Sequence, residues 1–205
     1  MSPSRRLLLA ALALAGLAPA PASAAGLSIG RPAPAFEAVD TAGRTVRLSD
    51  YAGKLVVLEW TNHDCPFVQK HYSGAMQALQ KRWTERGVVW LTVISSAPGE
   101  QGAVDGPQAD ELTRSRKAAP SAVLLDPKGV VGRAYDARVT PHMYVVGTDG
   151  ALLYQGGIDD KPSAEVADIA GARNHVEAAL TEIAAGKPVS QNTTRPYGCT
   201  VKYAS

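Results

Sequence analysis

The sequence predicts an α/β chain: a central mixed sheet flanked by helices, with an N-terminal β-hairpin. Three observations carry this. Leu55–Leu58 and Val88–Ile94 are continuous apolar runs, the pattern of strands buried on both faces. Between them, Val68, Tyr72, Ala75, Met76, Leu79 and Trp83 recur along one helical face. Strand, helix and strand in that order make a βαβ unit with a parallel pair. Lastly, Asp40-Thr41-Ala42-Gly43 and Asp149-Gly150 are turn signals between strand-like runs, which adds antiparallel hairpins to the parallel pair.

The elements follow in order. Residues 25–34 are Gly- and Pro-rich and read as a linker with an entry turn at Pro32-Ala33-Pro34. Phe36–Val39 and Thr45–Leu48 pair as the first hairpin, and Ser49–Lys54 is a polar bridge to the first core strand. One helix is expected from Pro66 to about Arg86, stopped by Gly87. Residues 95–109 hold three glycines and two prolines and read as a loop; their spacing fits no phosphate-binding motif. A short helix is expected over Pro107–Lys117, then a third core strand at Ala122–Leu125. The turn Asp126-Pro127-Lys128-Gly129 leads to a short helix over Val130–Tyr135. Val139-Thr140-Pro141-His142 precedes the strand Met143–Val146, and Ala151–Tyr154 pairs back. A last helix begins at Val166 or Ala172 and runs to Ala185, with Val176, Leu180 and Ile183 on one face and Gly186 as its stop. The tail from Lys187 is polar until Pro196–Tyr203.

Composition narrows the function. With 45% hydrophobic and 20% charged residues the chain is ordinary globular material, and a net charge of +2 without Lys/Arg clusters gives no footprint for nucleic acid. Residues 1–24 read as a signal peptide: Arg5-Arg6, the apolar run Leu7–Leu17 and the small-residue site Ala22-Ser23-Ala24. Ser4-Arg5-Arg6-Leu7-Leu8 also loosely fits a twin-arginine signal. The mature chain, 25–205, is then one domain, periplasmic or secreted, with no membrane span. Its two cysteines, Cys65 and Cys199, are an even count in an oxidising compartment.

Cys65 falls where the apolar strand ends and the helical pattern begins, with Pro66 at the first helical position. Unpaired N–H groups and the positive end of a helix dipole favour a thiolate there, the nucleophilic form. Asp64 opposes this as a neighbouring anion. The alternative is an inert cysteine packed as a small hydrophobe.

Pro32-Ala33-Pro34-Ala35-Phe36, Asp50-Tyr51-Ala52-Gly53-Lys54, the strand–Cys65–helix unit and Thr140-Pro141 before a strand with an Asp149-Gly150 hairpin resemble the thioredoxin-like superfamily in its redoxin branch, the alkyl hydroperoxide reductase/thiol-specific antioxidant family. Asn62–Val68 and Gly198–Tyr203 resemble a peroxiredoxin-like subgroup. The resemblance implies a cis peptide at Pro141, with Thr140 and Pro141 flanking Cys65 and the Thr140 backbone guiding a substrate. It implies a thiol-dependent oxidoreductase or antioxidant acting by disulfide exchange or peroxide reduction, with no cofactor. Its partners would be a peroxide or a disulfide-containing client protein, and a thiol reductant.

The chain departs from both familiar patterns. Val68 stands where thioredoxins carry a second cysteine. Peroxiredoxins place a threonine three residues before the reactive cysteine and an arginine near it; here Thr61 is four before, and Thr140 and His142 stand where an arginine would be sought. Cys199 is the candidate resolving partner, a structural staple worth about 5 kcal/mol across so long a loop, or unpaired. His63 could hydrogen-bond the sulfur; His71 faces elsewhere; His175 reads as a surface residue. Trp60, Trp83 and Trp90 read as core. The competing reading is a thioredoxin-fold carrier of a soft metal such as copper, held by Cys65, His63 and His142, or a binding module without turnover.

Overall fold

The computed structural model describes residues 27–204; the expected signal peptide lies outside them. Strands β1 (Glu37–Asp40) and β2 (Thr45–Arg47) form the first hairpin, and a 3₁₀ turn over Leu48–Tyr51 leads to β3 (Val56–Trp60). Next come α1 (Pro66–His71), α2 (Ala75–Thr84), β4 (Val89–Ile94), α3 (Gly106–Ser115), β5 (Ala122–Leu125) and α4 (Val130–Ala134). The chain closes with β6 (Val139–Thr140), β7 (His142–Val146), β8 (Leu152–Gly156), α5 (His175–Ala184) and β9 (Cys199–Thr200).

Seven strands form one mixed sheet in the order β2-β1-β5-β4-β3-β7-β8, with β3, β4 and β5 parallel and the other pairings antiparallel. β3 lies between β4 and β7, with all five residues buried. Its alternation divides the core. Val56, Leu58 and Trp60 face Val131, Tyr135 and Tyr144 on one side; Val57 faces Met76, Trp83, Val176 and Leu180 on the other. β6 and β9 make a separate two-stranded ribbon.

The expected helix over 66–86 is two helices. Gly74 at φ 137° starts α2, a conformation the other residues avoid. Ser73 Oγ donates to the Lys70 carbonyl at 2.7 Å, and Gln77 Nε2 donates to the Tyr72 carbonyl at 2.7 Å. A Ser-Gly pair is a recognised place for a helix to break, and the apolar periodicity runs across it undisturbed. The last helix starts later than expected, at His175, because Asn174 caps it by accepting from Glu177 N at 2.8 Å.

The Gly-rich loop is tied down. Ala97 N donates to the Lys202 carbonyl at 2.7 Å and Asn62 Nδ2 to the Gln101 carbonyl at 3.2 Å. Gly102 packs so closely on Asn62 that a side chain would collide with it.

Candidate active site

β3 delivers the chain to a short turn. Asn62 organises it: Oδ1 accepts from Asp64 N at 2.9 Å and the carbonyl accepts from Cys65 N at 3.1 Å. Cys65 is the N-cap of α1 with extended dihedrals, and Pro66 fills the first helical position. Cys65 is fully buried. As a thiol, Sγ donates to the Thr140 carbonyl at 3.1 Å.

The tail supplies the second sulfur. β9 pairs antiparallel with β6, so that Val139 faces Thr200 and Thr140 faces Cys199. The Thr140-Pro141 peptide is cis. Gly198, at φ 137°, lies so close to the Thr140 carbonyl that a side chain there would strike it. This pairing makes Cys199 a neighbour of Cys65, and each thiol shifts the other. The sulfurs are not bonded to each other, and Cys199 is half-exposed where Cys65 is buried.

The two thiols diverge in acidity. Burial alone would raise Cys65. The Cys199 thiol, the Thr140 side chain and the backbone N–H groups of Val68 and Cys199 outweigh it and leave Cys65 below its ordinary value. Cys199 is pushed up to about 12 by burial and by the neighbouring Cys65 sulfur. The first proton to leave the pair comes from Cys65, and Cys199 keeps its own as a donor.

Other expected residues lie elsewhere. His63 Nε2 is 3.3 Å from the Asp64 carboxylate, and no hydrogen bond joins it to Cys65 among the described residues. The Asp64 carboxylate faces His63. His142 is buried with Nδ1 3.0 Å from the Tyr144 hydroxyl, and burial lowers it to about 4. His175 is buried, not on the surface as its helix pattern suggested, because it opens α5 against the Ile158 carbonyl, to which its N–H donates at 2.9 Å. The ligand set Cys65, His63 and His142 is therefore not assembled, and no group of three or more His, Cys, Asp or Glu side chains is gathered as for a metal among the described residues.

Thr61 and Arg116 share a cleft that Cys65 does not line. Its volume is about 430 Å³, and His63, Ile94 and Leu112 also line it. Arg116 donates to the His63 carbonyl at 3.0 Å, bracing the turn from behind, and its guanidinium stacks over Tyr72.

Sequence reading missed two buried polar groups. Glu59, fully buried in β3, accepts from Tyr72 Oη at 2.8 Å, Trp90 Nε1 at 2.8 Å, Gln80 Nε2 at 3.1 Å and Thr92 Oγ1 at 3.4 Å. Burial raises its carboxyl above the ordinary value despite those donors. The available signal was an acidic residue inside an apolar strand. The second group gathers Lys70, His71, Asp159 and Tyr197; with partners spread over 126 residues, it left no local pattern.

Residues 29–155 match the AhpC/TSA family, more than half of the chain. The chain belongs to the AhpC/TSA family. Among solved structures, a hypothetical protein from Sinorhizobium meliloti 1021 superposes with a TM-score of 0.74 at 19% identity, over 88% of this chain and 97% of that one. An uncharacterized conserved protein from Geobacillus kaustophilus gives 0.73 at 24% identity, over 88% and 94%. A putative thiol:disulfide interchange protein DsbE from Chlorobium tepidum gives 0.51 at 24% identity, over 63% and 85%. At these identities the structures show the fold, which is thioredoxin-like, and no more. No curated protein matches. Membership of the AhpC/TSA family places the chain among thiol-based redox proteins. The match ends at residue 155, so Cys199 and the tail lie beyond it. No helix among the described residues is long and apolar enough to cross a membrane.

Proposed function

We propose that this AhpC/TSA-family protein is an exported thiol-dependent oxidoreductase in which Cys65 and Cys199 cycle between dithiol and disulfide. One observation carries the reading: the Cys65 sulfur, held below its ordinary pKa, faces a second thiol supplied by the tail. Export rests on residues 1–24 and their signal-peptide pattern.

The oxidant that suits the site is a small hydroperoxide. Cys65 is fully buried, and the Thr140 edge that a client chain would pair with is taken by β9. The Cys65 thiolate attacks the terminal peroxide oxygen; the O–O bond breaks, and the alkoxide leaves as an alcohol with a proton from solvent. The Cys199 sulfur then attacks the sulfenic acid, losing its proton, and water departs as the disulfide forms. Thr140 and Pro141 shape the wall beside Cys65.

Reduction proceeds through Cys199, the more exposed sulfur. An external thiolate attacks it and expels Cys65, the better leaving group because its thiolate is the more stable. A second thiol then displaces Cys199. Run in reverse, the same exchange at Cys199 would oxidise a client dithiol protein.

The test is an intact-mass and free-thiol count on the reduced mature protein after one equivalent of hydrogen peroxide. Rapid loss of both thiols and of two mass units supports the cycle. Two thiols surviving peroxide would reject it.

A further inference from the structure

We propose that the buried cluster of Lys70, His71, Asp159 and Tyr197 is a positioning device that sets the Cys199 thiol against Cys65. The proposal rests on the dithiol cycle above.

The cluster joins the two cysteine-bearing segments at a common point. Lys70 and His71 end the helix that Cys65 begins. Tyr197 is two residues before Cys199. Asp159 follows β8 and lies between them. Lys70, 1% exposed, donates from Nζ to the Lys161 carbonyl at 2.8 Å and sits 3.6 Å from Asp159 Oδ2. The Tyr197 hydroxyl donates to Asp159 Oδ1, which also accepts Lys161 N at 3.0 Å. The phenol oxygen is then free to accept from His71 Nε2 at 3.1 Å. Burial holds His71 neutral, at about 4, consistent with that tautomer. Phe67 meets the Tyr197 ring edge-on at 5.8 Å.

Such an arrangement is a poor way to gain stability alone. Removing a lysine and a carboxylate from water costs several kcal/mol each, and apolar residues of similar volume commonly do as well. Directed hydrogen bonds do what an apolar patch does not: they fix one register. Here the register reaches the sulfur through a single residue, Gly198, pressed against the Thr140 carbonyl. A displaced Tyr197 hydroxyl has little slack before Cys199 moves.

The experiment equilibrates the full mature protein with glutathione redox buffers and measures the effective concentration of Cys199 toward Cys65. Wild type comes first: if it forms no Cys65–Cys199 disulfide, the dithiol cycle has failed, independently of the cluster. If it does, Tyr197→Phe, which deletes one hydroxyl, is expected to lower the effective concentration at least tenfold. The pH profile of Cys65 alkylation should move upward as the Cys199 donor is lost. In a Cys199→Ala background, adding Tyr197→Phe should leave that profile where it was. The paired change Lys70→Met with Asp159→Leu, of similar volume, should reproduce the loss. Effective concentrations within twofold of wild type in both variants would overturn the proposal. So would variants that fail to fold, since the cluster would then be holding the fold together and not placing the thiol.

Discussion

Thr140 and Cys199 face each other across β6 and β9, a register pair separated by 59 residues. That pairing does two things at once. It brings a second thiol to Cys65, and it occupies the backbone edge beside Pro141 with the protein's own chain.

If Cys199 holds down the pKa of Cys65, Cys199→Ala, which removes the donor, should raise it, and Cys199→Ser, which keeps an O–H donor, should raise it less. The check is the rate of iodoacetamide alkylation of Cys65 against pH. Wild type should show a midpoint below that of an ordinary thiol, and the alanine variant a midpoint moved upward. Coincident profiles would show that the tail does not tune the nucleophile.

Gly198→Ala should separate β6 from β9. A methyl group there meets the Thr140 carbonyl, and the φ of 137° is one that alanine rarely adopts. The expected cost is about 1–3 kcal/mol in urea unfolding, accompanied by slower closure of the Cys65–Cys199 disulfide after peroxide. A variant as stable and as fast as wild type would contradict the close approach.

Glu59 offers a pair of graded outcomes. Glu59→Leu strips the acceptor from Trp90 Nε1, Gln80 Nε2 and Tyr72 Oη, and each orphaned buried donor costs about 1–3 kcal/mol. Glu59→Gln keeps an acceptor oxygen for Trp90 and Gln80 and orphans only the Tyr72 hydroxyl, so it should lose about 1–3 kcal/mol, less than the leucine variant that orphans all three donors. Chemical denaturation of the two variants distinguishes them; equal losses would refute this account of the network.

Stability should decline with acid. Burial places His71 and His142 near 4 in the fold, against about 6.5 when unfolded. Between those values the unfolded chain binds more protons, so stability present above about 6.5 is lost as pH falls toward 4. For His142 the shift corresponds to roughly 3 kcal/mol. Glu59, raised by burial, works in the opposite sense. Comparing wild type with His142→Phe isolates the histidine: the difference in unfolding free energy between pH 7 and pH 4.5 should shrink in the variant. An unchanged difference would place the titration elsewhere.

The fold was legible where periodicity and turn chemistry agree. Leu55–Leu58 and Val88–Ile94 became the parallel pair β3 and β4, and the Asp149-Gly150 signal became the β7–β8 turn. Cys65 could be placed at its helix start because Pro66 marks that position. The break at Ser73-Gly74 was hidden by an apolar stripe that continues through it. His63, two residues from Cys65, looked like a partner by proximity in sequence, but an N-cap turn points successive side chains in different directions. Glu59 and the Lys70 cluster escaped for a related reason: a buried polar group is defined by its neighbours in space, and those of Tyr197 are 126 and 38 positions away.

The helix that begins at Cys65 runs only six residues before it breaks. Little aligned peptide dipole stands behind the sulfur, and much of what favours its thiolate is contributed from the far end of the polypeptide. Proteolytic trimming of the last eight or so residues would therefore silence the nucleophile without touching it. Arg133 grips the Ala204 carbonyl at 2.6 Å, so a change at residue 204 acts on the same segment that carries Cys199.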